Sequence, residues 1–268
     1  MTVKIENLTK YYKKNKALDN VSMTFDKGVY GLLGENGAGK STLLKCICGL
    51  EKYKGSIELG ISKDKIGYMP QEFDLLDNLS VEENMEFFRT YAGGDKSQIE
   101  ELLELTDLTD ERKKKAGSLS GGMKRRLGLA ISLLGSPELL IMDEPTAGLD
   151  PKECIRFRNM VNRISTDKCV IITTHIVQDV ENLCTRLVVL NKGNLVFDDE
   201  ASEIAKLAEG KVYTISLEEA EKRGLLDDIV ENRMGVSNLV RVVTDAPQPE
   251  NPEQPTIEDG YLCLLKNI

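Results

Sequence analysis

Apolar residues near the start of the chain recur with a period of two at Val21, Met23 and Phe25, then run together over residues 29–33. Alternation marks a strand with one face in a core, and a continuous short run marks a strand buried on both faces. Residues 1–6 alternate in the same way, so the opening segment is read as strands. A helix is predicted from residue 40 to about residue 48, stopped by Gly49, with short strands at 56–59 and 65–69. From Ser80 to about Arg112 the period lengthens to that of a helix. Val81, Met85 and Phe88 fall on one face, and Ser80-x-x-Glu83 and Ser97-x-x-Glu100 each read as a capping box. A helical block set into strand-rich sequence predicts a subdomain, placed over residues 78–135.

Strands and helices then alternate: a strand at 139–142, a helix from Pro151 to about Ile164, a strand at 169–173 and a helix at 176–183. This is the pattern of parallel βαβ units. A hairpin is expected from strands at 187–190 and 195–197 across Asn191-Lys192-Gly193-Asn194. Composition shifts after residue 210. A strand at 212–217, a helix at 218–223 and a strand at 239–243 precede a loop carrying Pro247, Pro249, Pro252 and Pro255, half of the chain's 8 prolines. Residues 210–268 are therefore expected to form a small α+β appendage to a domain spanning 1–209.

Charge narrows the partners. A formal net charge of −9 excludes a sequence-independent grip on nucleic acid, which needs a basic face. The clusters Lys13-Lys14, residues 112–115 and residues 124–126 are read as solvated faces. No apolar run approaches the ~20 residues that cross a bilayer, and the N-terminus lacks the apolar core of a signal peptide. The 6 cysteines lie in apolar or helical contexts and are expected to be reduced thiols; Cys46 and Cys48 would point to different sides of a helix, a poor metal clip.

Two motifs carry chemistry. Gly34-Glu35-Asn36-Gly37-Ala38-Gly39-Lys40-Ser41 fits the phosphate loop G-x-x-x-x-G-K-[ST], with a strand before it and a helix after. Its glycines let backbone N–H groups face phosphates, and the helix dipole adds positive charge at the same point. Gly34, Asn36, Gly37, Ala38, Gly39, Lys40, Ser41 and Thr42 are the candidate nucleotide contacts. Lys40 is expected to reach the β- and γ-phosphates of ATP, and Ser41 to ligate Mg²⁺. The apolar run Leu139-Leu140-Ile141-Met142 ends in Asp143-Glu144. Such a strand suits a second half of the site, with Asp143 on Mg²⁺ through water and Glu144 orienting or deprotonating the attacking water.

Between these motifs lies Leu119-Ser120-Gly121-Gly122-Met123, opening into Lys124-Arg125-Arg126-Leu127. A helix N-terminus with free N–H groups is itself an anion site. This turn resembles the signature motif of the ATP-binding-cassette (ABC) ATPases, and the resemblance covers roughly residues 1–209. It implies a P-loop NTPase nucleotide-binding domain of α/β class, with a mixed sheet core, an antiparallel β subdomain and a helical signature subdomain. Residue by residue, it implies that Tyr12 stacks on adenine, with Tyr11 the neighbouring possibility. Gln71 would contact Mg²⁺ and the attacking water and sense a transmembrane partner. Ser120 and Gly122 would bind γ-phosphate, Asp150 would lie at a dimer interface, and His175 would contact γ-phosphate. Met123 stands where the family commonly has glutamine; with Leu127, Ala130, Ile131 and Leu134 it forms an apolar helical stripe, so it is read as core.

The resemblance implies the ATP-hydrolysing subunit of an ABC transporter. Two cassettes, identical or paralogous, would close head to tail around ATP and drive a separate transmembrane permease. The chain would then lie in the cytoplasm, against the inner face of the membrane and in contact with it through the permease. Met123-Lys124-Arg125-Arg126 and the segment from Pro255 to Leu262 resemble a branch rich in bacterial exporters. The alternative within the superfamily is a soluble ATPase of DNA repair or translation. A phosphate-loop kinase or nucleotide switch leaves the turn at Ser120 unexplained.

Overall fold

The chain divides into two units, Met1–Asp198 and Asp199–Ile268. The computed structural model describes residues 1–233, 238–246, 252–266 and 268; Pro247 and Pro249 of the proline-bearing loop lie outside them. The division comes ahead of the expected 209/210 boundary because of a short 3₁₀-helical stretch, Ala201–Ala208, that sequence reading passed over. Its Ala201, Ile204 and Ala208 are buried, and Ala208 packs with Val212, Val243 and Cys263 of the second unit.

In the first unit the elements run β1 (Val3–Tyr12), β2 (Asn15–Phe25), β3 (Gly28–Leu33), α1 (Lys40–Ile47), β4 (Lys54–Leu59), β5 (Ile66–Met69), α2 (Val81–Ala92), α3 (Ser97–Leu105), α4 (Gly121–Ser132), β6 (Leu139–Asp143), α5 (Pro151–Ile164), β7 (Cys169–Thr174), α6 (Val177–Leu183), β8 (Arg186–Asn191) and β9 (Asn194–Glu200). The central sheet has the order β5-β6-β7-β3-β8-β9, parallel from β5 to β8 and extended by the β8–β9 hairpin. A separate antiparallel sheet, β2-β1-β4, covers part of it.

Alternation in β6 shows why its whole run is apolar. Leu139 and Ile141 point to a core shared with α1 and the antiparallel sheet, where Leu43, Ile5 and Phe25 lie. Leu140 and Met142 point to the opposite core, against Leu129 of α4 and Phe157 and Val161 of α5. Register then does the rest: Asp143 pairs with Thr173, and Leu33 with Thr174, so β3, β6 and β7 end together. In an open parallel sheet, ligands bind where the carboxyl ends of the strands meet.

The helical block α2–α4 has its own core of Val81, Met85, Leu103, Leu127 and Ile131, and Met123 packs against it. Ser80 begins α2 with both bonds of a capping box. Ser97 does not cap α3; it is the first helical residue, since the turn already starts with the Gln98 amide bonding Asp95 O. Glu100, expected to complete that box, is held instead by Arg112 at 2.5 Å. From within α2, the buried Asn84 accepts the Leu76 amide and donates to the carbonyls of Leu76, Leu79 and Ser80, fixing the loop that follows Gln71. The basic run 124–126 is likewise not a solvated face throughout. Arg126 is buried and donates to the carbonyls of Thr106 and Asp107, groups left unpaired where α3 ends.

The second unit continues with β10 (Val212–Ser216), α7 (Leu217–Lys222), β11 (Ile229–Arg233), β12 (Leu239–Val243) and α8 (Ile257–Lys266). Its antiparallel sheet has the order β10-β12-β11. Buried Arg241 pairs with Asp259 at 2.7 Å and also with Glu253. Strand β11 and helix α8 were not predicted: β11 has mixed polarity, and α8 follows a proline-bearing loop. All 6 cysteines are free thiols. Among the described residues, no helix is long and apolar enough to cross a membrane.

Candidate functional site

The loop after β3 wraps the N-terminus of α1. Gly34, Gly37 and Gly39 all have positive φ, at 157°, 84° and 109°. At Gly39 a Cβ would meet Ala17 O at 2.7 Å, and at Gly34 it would meet Leu190 O at 2.5 Å, so neither tolerates a side chain. The β8–β9 turn braces the loop: the Gly193 amide donates to Ala38 O at 2.9 Å, and Gly193 O accepts the Asp19 amide at 2.8 Å. Lys40, only 6% exposed, donates to Gly34 O at 2.5 Å and Glu35 O at 3.2 Å, which centres its ammonium in the loop. Burial pushes its pKa down, opposed by the Glu144 and Asp143 carboxylates.

An open cleft of about 530 Å³ lies over this loop. Of the expected site residues, Tyr12, Asn36, Gly37, Gly39, Lys40, Ser41, Thr42, Gln71 and Glu144 line it. Gly34 and Ala38 lie buried within the loop, and Asp143 is buried at the end of β6. Tyr12 has Lys10 Nζ 4.8 Å from its ring centroid, and Lys10 is fixed in turn by Glu51 at 2.6 Å. Tyr11 is not among the lining residues; its ring lies near Lys16 and Lys54.

At the end of β6 the two acids part. Asp143 Oδ1 accepts the Thr173 hydroxyl at 2.5 Å. Glu144 has φ of 47°, a left-handed conformation that costs a non-glycine residue about 1 kcal/mol or more. Its backbone amide is held by the Thr173 hydroxyl at 2.8 Å, and its side chain spans two partners: Oε1 lies 3.3 Å from His175 Nδ1, and Oε2 accepts Gln71 Nε2 at 3.4 Å. Residues from two other loops therefore converge on one carboxylate. Gln71 is fixed from behind by Arg125 of α4, whose Nη1 donates to Gln71 O at 2.6 Å.

Ser120 and Gly122 stand elsewhere. Ser120 is the N-cap of α4, accepting the Met123 amide at 3.2 Å, and neither residue lines the cleft over Lys40. Asp150 caps α5, accepting the Glu153 amide at 2.9 Å, and is also outside that cleft. Sequence reasoning missed Thr173, which holds both acids, and Asn15, Ala17 and Lys192, which line the cleft. Only the register of β6 against β7 reveals Thr173.

The donor chemistry fits a hard divalent cation bound together with phosphate. Ser41, Gln71 and Asp143 offer oxygen donors at the loop, and Mg²⁺ takes one or two protein oxygens and fills its octahedron with phosphate and water. Among the described residues no cluster of three His, Cys, Asp or Glu side chains forms a self-sufficient metal cage.

The sequence matches the ABC transporter family profile over residues 18–147. A lantibiotic transport ATP-binding protein of Streptococcus pyogenes is 40% identical over 207 residues, covering 74% of this chain and 90% of the relative. The chain belongs to the ABC transporter ATP-binding proteins. A linearmycin resistance ATP-binding protein of Bacillus subtilis (strain 168) is 39% identical over 207 residues, covering 71% of this chain and 67% of that one. Among solved structures, a dimeric ATP-binding cassette in a post-hydrolysis state with ADP and Pi superposes with a TM-score of 0.66 at 25% identity, covering 74% of this chain and 98% of that chain. An ATP-binding subunit of an ABC transporter gives 0.70 at 25% identity, covering 83% and 99%. This ABC protein is thus a nucleotide-binding ATPase that serves transport. Relatives named for lantibiotic transport and linearmycin resistance leave the DNA-repair and translation alternative without support.

Proposed function

We propose that this ABC subunit powers export through a separate permease, by closing with a second cassette around ATP. The observation that carries the hydrolytic reading is Glu144, held between Gln71 and His175 at the mouth of the Lys40 cleft. Adenine stacks on Tyr12, and the backbone N–H groups of residues 37–42 and the Lys40 ammonium meet the phosphates. Magnesium would be held by Ser41, Gln71 and, through water, Asp143, and would neutralise phosphate charge. Glu144 takes the proton of a water whose oxygen attacks the γ-phosphorus. The bond from that phosphorus to the bridging oxygen breaks, leaving ADP and phosphate. His175 and, from the other cassette, Ser120 and Gly122 complete the contacts to the γ-phosphate, with Asp150 at the interface.

The permease docks near Gln71 and the helical block. A groove of about 360 Å³ there is lined by Tyr68, Phe73, Phe88 and Tyr91, with Tyr91 77% exposed. In this reading the subunit works on the cytoplasmic face of the membrane, with residues 210–268 as an accessory domain. Export is supported by the lantibiotic and linearmycin relatives.

Dimerisation gives the direct test. In the full-length chain, ATP turnover per chain should rise with protein concentration and then level off as dimers saturate. A rate per chain independent of concentration, with the protein monomeric in ATP, would overturn the reading. The base-stacking assignment has its own check. Tyr12→Ala should raise KM for ATP by about tenfold, the ~1–3 kcal/mol of a base–aromatic stack, while Tyr12→Phe and Tyr11→Ala stay near wild type. A Tyr11→Ala effect as large would move the stacking role to Tyr11.

A further inference from the structure

Asp179, in α6, is a carboxylate that the hydrolytic scheme leaves unused, and it is only 2% exposed. A charge at that depth is costly unless hydrogen bonds replace its water. Its Oδ2 accepts the Thr146 hydroxyl at 2.5 Å and the Thr174 hydroxyl at 3.3 Å, and its Oδ1 accepts Arg158 Nη2 at 2.9 Å. Thr146 lies just beyond Glu144 in the chain, and Thr174 immediately precedes His175. The Thr174 hydroxyl also accepts the Ile176 amide at 2.9 Å, on the far side of the histidine. One carboxylate oxygen thus gathers the two segments that present Glu144 and His175 to each other. Arg158 brings in α5, the helix that Asp150 caps. Stability does not account for this cluster: a buried ion pair is often no more stabilising than apolar side chains of similar volume, and Arg158 Nε is left buried without a partner.

We infer that Asp179 is a positioning residue for ATP hydrolysis, fixing the Glu144–His175 pair and tying it to the segment that leads to Asp150. The inference rests on the reading of Glu144 as the group that activates water. Asp179 does not line the cleft over Lys40; it acts through the two threonine hydroxyls. Movement at Asp150 on dimer closure would reach Glu144 and His175 through this anchor, because Thr146 lies on the chain between Glu144 and Asp150.

Asp179→Asn keeps the shape but leaves one accepting oxygen in place of two, so the side chain cannot serve both the threonine hydroxyls and Arg158. In the full-length chain, at concentrations where dimers saturate, kcat should fall by about ten- to a hundredfold, the effect of an ångström-scale misplacement. KM for ATP and ATP-dependent dimer formation should stay within about twofold of wild type. Thr174→Val should reproduce the loss, Thr174→Ser should restore the rate, and Asp179→Asn combined with Thr174→Val should be little worse than either alone. An unchanged kcat per folded chain in Asp179→Asn would overturn the inference, as would strict additivity in the double variant. If Asp179→Asn fails to fold, Thr174→Val and Thr146→Val carry the same comparison. The two readings fail differently. Full turnover in Glu144→Gln removes the role of Glu144, whereas an inactive Glu144→Gln beside a fully active Asp179→Asn removes only the role of Asp179.

Discussion

Glu144→Gln should bind ATP as well as the wild type yet hydrolyse it at least about a hundredfold more slowly, the usual size of a lost general base. The substitution preserves shape, so the amide can still lie between Gln71 and His175, and the left-handed backbone at φ 47° is unaffected. What is lost is the ability to take a proton. Removing a negative charge from a cleft that receives a triphosphate also favours nucleotide binding. Binding without turnover should leave the closed dimer populated. Equilibrium binding of ATP, phosphate release and size-exclusion chromatography in ATP test the three parts separately. A variant that turns over at the wild-type rate would remove Glu144 from the reaction.

Much of this site is legible along the chain because its parts are local. A phosphate loop needs its glycines at fixed spacing, and the acids stand at the end of an apolar run, so Gly34, Lys40 and Asp143-Glu144 announce themselves. The central sheet is legible for the same reason: β3 and β6 are buried on both faces and read as continuous apolar segments. The supports of the site are not legible. Thr173 holds Asp143 and the Glu144 amide only because β6 and β7 pair in one particular register. Asp179 reads as an ordinary acid on a helix, and Thr146 and Thr174 as ordinary loop and strand residues; their convergence is a property of the fold. Arg126 misleads in the opposite direction, since a basic run suggests solvent while its guanidinium fills the end of α3. Ser97 shows the limit of cap motifs: Arg112 competes for Glu100, and the helix starts a residue early.

The position of Ser120 outside the Lys40 cleft leads to the second large expected effect. If Ser120 completes a site on another chain, lesions at Ser120 and Lys40 should complement in one pairing and compound in the other. Ser120→Asp suits this purpose because aspartate is as good an N-cap as serine, so α4 keeps its start, while the added charge repels a γ-phosphate. Gly122 is a poorer choice, since a Cβ there would meet the Glu153 carboxylate at 2.5 Å and disturb the fold as well as the site. In dimers of a Ser120→Asp chain with a Lys40→Ala chain, both lesions fall in the same composite site. The other site stays whole, so roughly half of the turnover should survive where the two sites act independently. When one chain carries both substitutions and its partner neither, each composite site holds one lesion, and turnover should be nearly abolished. A site built within one chain predicts the reverse: the double-substituted chain would leave its partner fully active, and the split pairing would be dead. The two mixed dimers contain the same substitutions in equal number. Any difference between them therefore reports which chain supplies the serine, and a general loss of stability cannot produce it.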